Sequence, residues 1–129
     1  MTRQLRFLVV DDTDDVRELM MRMVERAGHL AEGAADGVEA TFALAEHRYD
    51  VMLLDLSMPR MSGEDVVRWL GAHPDRADGM RTVVVTAWAG DRRGALHELG
   101  ITTVLPKPFR RQHLIDLIAD ITADTDAEC

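Results

Sequence analysis

Short apolar runs alternate along the chain with stretches in which apolar residues recur every three to four positions. The run at 51–54, Val-Met-Leu-Leu, is long enough for a strand buried on both faces and too short for a helix core. It stops at Asp55, after which Pro59 and Gly63 bracket a loop and Glu64 begins a helical pattern. Residues 5–10 read as an earlier strand closed by Asp11 and Asp12, and residues 82–86 as a later one ending in a hydroxyl. Residues 101–105 predict the last strand, and residues 29–34, small and polar, a weak one near a sheet edge.

Helical periodicity fills the gaps. After Thr13 or Asp14 as a cap, Val16, Leu19, Met20, Met23, Val24 and Ala27 form a stripe closed by Gly28. Asp36-Gly37 turns the chain into a second helix carrying Val38, Ala40, Thr41, Leu44 and Ala45. A third spans 64–72 with Val66, Val67 and Leu70 inward, and residues 73–80 read as a loop. A short helix at 91–99 is weakened by Gly94, and a closing helix at 110–121 turns Leu114, Leu117, Ile118 and Ile121 inward. The residues after Ile121 read as a frayed acidic tail, giving one domain at 1–122 and a tail at 123–129.

Five strands alternating with five helices predict an α/β fold, a parallel sheet with helices on both faces. Right-handed crossovers leave few arrangements, of which the flavodoxin-like strand order 2-1-3-4-5 is the expected one. In such a sheet Asp55 stands at the carboxyl end of a central strand, where ligand sites form.

Composition narrows the function. The 129 residues suit one domain, and a net charge of −8 argues against direct binding of nucleic acid or an anionic membrane by this chain. The single cysteine, Cys129, allows no internal disulfide, and no run is long enough for a signal-peptide core or a membrane span, so a cytoplasmic location is expected.

The expected topology gathers Asp11, Asp12, Asp55, Thr86 and Lys107 at the carboxyl ends of four strands. Each alone has an ordinary explanation as a cap, a strand end or a solvated cation. Their joint occurrence does not. Lys107 is the chain's only lysine, held between two prolines, which points to a site that needs a compact point charge instead of a planar fork. Crowded carboxylates repel one another unless a cation joins them; an all-oxygen set suits Mg²⁺, with Mn²⁺ as a substitute. One carboxylate can then serve as nucleophile towards a phosphoryl group, facing a hydroxyl and an ammonium.

These residues, with Met58-Pro59 and Gly63 after Asp55, Thr86-Ala87, and Lys107-Pro108-Phe109, resemble the receiver domain of bacterial response regulators over residues 5–121. The resemblance implies a phosphoryl-accepting signalling switch in a two-component system, which catalyses only its own phosphoryl transfer and dephosphorylation. It implies that Asp55 accepts phosphate from the phosphohistidine of a sensor histidine kinase or histidine phosphotransfer protein and acts on a downstream protein. It leaves a weak homodimer open. Mg²⁺ would be held by Asp11 or Asp12, Asp55 and the backbone carbonyl of Ser57. Thr86 and Lys107 would bind phosphoryl oxygens, and the Lys107-Pro108 peptide is expected to be cis.

Two departures stand out. Val104 occupies the place of the family's aromatic switch residue, and Trp88 is bulky where polar side chains are common and phosphoryl lifetime is set. A degenerate receiver that binds partners around Val104 without phosphorylation is therefore the alternative. An aspartyl-phosphate phosphatase is a weaker one, because Ser57 stands where such enzymes carry a second acid.

Overall fold

The computed structural model describes residues 4–56, 58, 60–87, 97–98, 101 and 103–128. Five strands, β1 (Arg6–Val10), β2 (Leu30–Ala34), β3 (Val51–Leu54), β4 (Arg81–Thr86) and β5 (Thr103–Pro106), pair in parallel in the order β2-β1-β3-β4-β5. The expected order is thus observed, with the weak strand β2 at an edge. Five described helices accompany them: α1 (Asp14–Arg26), α2 (Gly37–Glu46), α3 (Gly63–Ala72), a single turn α4 (Pro74–Ala77) and α5 (Arg111–Glu128). The expected helix at 91–99 lies outside the described residues apart from His97 and Glu98.

The solid apolar runs are explained by the period-two alternation of a strand buried on both sides. Met52 and Leu54 join Leu8, Val10 and Val84 against Ala40 and Leu44 of α2 and Val66, Val67 and Leu70 of α3. Val51 and Leu53 join Phe7, Val9, Val83 and Val85 against Met20, Met23 and Val24 of α1 and Leu114, Ile118 and Ile121 of α5. Among the described residues no helix is long and apolar enough to cross a membrane.

Three local expectations change. Leu19 and Val38 are 40% and 43% exposed, because the α1 stripe narrows to its centre and α2, lying towards the edge strand, buries only Gly37, Ala40 and Leu44. The expected loop after α3 contains α4, whose first turn begins with Pro74, a residue already fixed at a helical φ and lacking an N–H that would go unbonded there. The expected frayed tail instead continues α5 to Glu128. Acids near a helix C-terminus oppose the dipole, but here the sheet holds that turn down: Thr122 is buried, and Arg81 Nη1 donates to Asp124 at 3.0 Å.

Thr122 also locks the lower end of the sheet. The buried His29 ring accepts the Leu5 N–H at Nδ1, 2.9 Å, so the neutral ring carries its proton on Nε2 and donates to Thr122 Oγ1 at 3.1 Å. The Thr122 hydroxyl in turn donates to the Ile118 carbonyl at 2.8 Å. At the other end, the start of α3 lies directly on the peptide after β3. A Cβ on Gly63 would come within 2.3 Å of the Asp55 carbonyl oxygen and 2.9 Å of Leu56 Cα, so only glycine fits.

Two outcomes follow from these contacts. Thr122→Val keeps the side-chain shape and removes the acceptor for His29; urea denaturation should show a loss of about 1–3 kcal/mol. Gly63→Ala must push α3 away from backbone that cannot yield, and the same measurement should show a loss of about 1–3 kcal/mol. Unchanged stability in either variant would contradict the packing just described.

Candidate functional site

Parallel register delivers the acids to one place. Val10 is level with Leu54, and the ladder continues one residue further, with Asp55 N–H donating to the Val10 carbonyl at 2.9 Å and Asp11 N–H to the Ala34 carbonyl at 3.1 Å. Asp11 and Asp55 therefore leave neighbouring strands side by side, both buried, and Asp12 follows, exposed. One carboxylate oxygen from each of the three lies within 4.8 Å of the other two. At an effective dielectric of about 20, each such pair of charges repels by roughly 3–4 kcal/mol.

Lys107 answers part of that charge. Its Nζ donates to Asp11 Oδ2 at 2.7 Å and lies 3.6 Å from Asp55 Oδ2, an ion pair too long for a hydrogen bond. Its backbone N–H donates to the Thr86 carbonyl at 2.9 Å, so β4 and β5 deliver the hydroxyl and the ammonium as one unit. Thr86 is fully buried, and the Lys107-Pro108 peptide is cis, as expected. The fold thus brings Asp11, Asp12, Asp55 and Lys107 into contact distance, with Thr86 adjoining through the Lys107 backbone. Ser57 and Trp88 lie outside the described residues. Val104, half-buried in β5, packs on the α2–α3 side of the sheet, and Pro108 is exposed.

One side of the site is moored by residues that sequence reasoning passed over. Asp36 caps α2, accepting the Glu39 N–H at 2.9 Å, and also accepts Arg60 Nε at 2.9 Å from the loop after Asp55. The Glu39 amide, then the Arg60 guanidinium, hold the Asp36 carboxyl below its ordinary range. Arg60 adopts a φ of 66°, an uncommon conformation for a non-glycine residue, in a segment where Gly37 N–H also donates to the Met61 carbonyl at 3.2 Å. A Cβ on Gly37 would lie 2.3 Å from that carbonyl oxygen. Asp36-Gly37 was legible as a turn, but nothing local to the sequence names Arg60 as its partner. Arg17 was also missed: its Nη1 donates to the Asp11 carbonyl at 2.8 Å.

Three hard carboxylate oxygens around a common point fit Mg²⁺, which favours oxygen and keeps several waters. Asp11 already has both oxygens engaged, Oδ1 by the Thr13 N–H at 2.9 Å and Oδ2 by Lys107.

Comparisons with known proteins agree with this geometry. The profile of the response regulator receiver domain matches residues 7–119. The sensory/regulatory protein RpfC of Xanthomonas campestris pv. campestris (strain 8004) is 32% identical over 127 residues, covering 95% of this chain and 17% of that protein. The response regulator MprA of Mycobacterium sp. (strain KMS) is 38% identical over 112 residues, covering 86% of this chain and 47% of that protein. The chain thus spans less than half the length of these relatives. Among solved structures, the chemotaxis response regulator CheY4 of Vibrio cholerae superposes with a TM-score of 0.83 at 26% identity, covering 92% of this chain and 99% of that one. The response regulator TrrA of Thermotoga maritima, solved in complex with Mg²⁺-BeF, gives 0.79 at 25% identity over 92% of this chain and 99% of that one. The chain belongs to the response regulator receiver domain family of two-component signalling.

Proposed function

We propose that this receiver domain is a phosphoryl-accepting switch with Asp55 as the acceptor. The observation that carries the reading is the convergence of three carboxylates within 4.8 Å of one another, with the sole lysine 2.7 Å from Asp11 and 3.6 Å from Asp55. Asp55 ends the most deeply buried strand, so its backbone is held while its carboxylate faces the cluster. A carboxylate oxygen of Asp55 attacks the phosphorus of a phosphohistidine on a sensor histidine kinase or phosphotransfer protein. The new O–P bond forms as the N–P bond breaks, and the electron pair returns to the imidazole nitrogen of the donor, which takes up a proton. The reverse fate, attack of water on the acyl phosphate, restores the carboxylate and releases phosphate.

Lys107 and Thr86 stand on the strand ends beside Asp55 and stabilise the charge on the incoming phosphoryl oxygens, Lys107 as a point charge and Thr86 through its hydroxyl. Asp11, Asp12 and Asp55 would hold Mg²⁺, with the Ser57 carbonyl as the further ligand that the family resemblance implies; Asp11 also serves Thr13 and Lys107. When bound, the ion offsets the negative charge that carboxylate and phosphoryl group bring together. The TrrA complex supports this reading of the acidic cluster. A cytoplasmic location and an effect exerted through a downstream protein go with it. The phosphorylation-independent alternative rests on Val104 alone, against the clustered acids and lysine.

Incubation of the wild type with acetyl phosphate and Mg²⁺ should add one phosphoryl group by mass spectrometry. Asp55→Asn and chelation should each abolish it; full labelling of the variant would remove Asp55 from its role. Lys107→Arg keeps the net charge, but the planar fork cannot occupy the point 2.7 Å from Asp11 and 3.6 Å from Asp55 that the ammonium fills. Labelling should slow by about tenfold, equivalent to about 1.4 kcal/mol in the barrier. A wild-type rate would make the lone lysine incidental.

A further inference from the structure

We infer that Arg17 is a positioning residue for the acidic site, and that glycine at position 33 keeps open the lane through which it reaches that site. The inference rests on the reading that Asp11, Asp12 and Asp55 hold a divalent cation. Arg17 stands in the second turn of α1, its backbone N–H bonded to the Thr13 carbonyl at 2.9 Å. Its side chain, only 17% exposed, does not turn out to solvent as a helix-surface arginine usually does. It runs beside β2 and places two guanidinium nitrogens, Nη1 on the main-chain carbonyl of Asp11 at 2.8 Å and Nη2 on Asp14 Oδ1 at 2.6 Å.

The two contacts differ in weight. Asp14 is 78% exposed, and such an i,i+3 surface pair contributes little. The bond to Asp11 is charge-assisted and falls on the peptide that joins Asp11 to Asp12. Among the described residues that peptide is otherwise gripped from its Asp11 side, by the N–H bond to Ala34 and by the carboxylate bonds to Thr13 and Lys107. Fixing the Asp11 carbonyl fixes the rotation of the peptide plane, and with it the direction in which the exposed Asp12 leaves the chain. Arg17 thus acts on the cation site through backbone, without touching the cation.

Gly33 makes the route possible. It is level with Val9 in the β1–β2 ladder. A Cβ there would lie 3.2 Å from Arg17 Cδ, 3.4 Å from Arg17 Nε and 2.9 Å from Met21 Sδ. Arg17 and Met21 are one helical turn apart and lie together over the strand, so a side chain at 33 would make the Met21 tip swing aside and Arg17 shift by a few tenths of an ångström. Gly33 has no positive φ to account for it. Space is the reason for glycine here.

The sign of one measurement separates positioning from plain electrostatics. A guanidinium beside a cation site repels the cation, so if charge were its only effect, its loss would tighten Mg²⁺ binding. If it holds Asp12 in place, its loss weakens binding, as removal of groups that orient metal ligands does by about 10–100-fold. Isothermal titration of the full chain with MgCl₂, without phosphodonor, should show weaker binding by about tenfold for Arg17→Met. Gly33→Ala, which changes no charge, should weaken it in the same direction, and Arg17→Lys, which can still donate to the Asp11 carbonyl, should recover part of the affinity. Melting curves in chelator identify any variant that has lost its fold; should Gly33→Ala do so, the two Arg17 variants decide the matter. Equal or tighter binding by Arg17→Met, wild-type affinity in a folded Gly33→Ala, or no recovery in Arg17→Lys would overturn the inference. A wild type that binds no Mg²⁺ would instead overturn the cation site on which it rests.

Discussion

Mutual repulsion among Asp11, Asp12 and Asp55 is the constraint around which the rest of the structure is arranged. Three carboxylates within 4.8 Å of one another, two of them buried, are stable only if neighbouring groups absorb their charge. The chain supplies one ammonium, from Lys107, and a guanidinium on the Asp11 backbone, from Arg17. Neither faces all three acids. Among the described residues these two cations leave the exposed Asp12 to the solvent side of the cluster.

That electrostatic load is borne by a backbone that is held from several sides. Beneath the site, β1 and β3 are buried along nearly their whole length and cannot shift without opening both cores. Beside it, the loop after Asp55 is tied to α2 by Asp36–Arg60 and by the Gly37–Met61 bond, and α3 begins on the Asp55 peptide itself through Gly63. On the remaining side, β5 is less buried, and Val104 and Leu105 are only partly covered. Thr86, at the end of the buried β4, and Lys107, just after the partly covered β5, form one hydrogen-bonded unit on that side.

The opposite edge shows how the same sheet is protected where no chemistry occurs. On β2, Glu32 accepts hydrogen bonds from Tyr49 and Arg6. Burial opposes ionisation of Glu32, yet those two partners hold its carboxyl below the ordinary range. The Tyr49 hydroxyl is raised well above its usual value, first by burial and then by the neighbouring carboxylate. A charged network on an edge strand discourages pairing with another chain.

The sequence by itself determined the parallel α/β architecture, because three short apolar runs, each ended by a polar residue, are satisfied by strands covered on both faces. It also named Asp11, Asp12, Asp55, Thr86 and Lys107, since strand ends in such a sheet converge whatever the loops do. It misjudged the end of α5, where acids that oppose the helix dipole read as fraying but Thr122 and Asp124 find partners in residues 93 and 43 positions away. Arg17, Gly33, Asp36 and Arg60 were beyond its reach for the same reason. An arginine on a helix and a glycine in a strand look ordinary until tertiary packing lays one across the other. The distance between α1 and β2, not any local pattern, decides what they do.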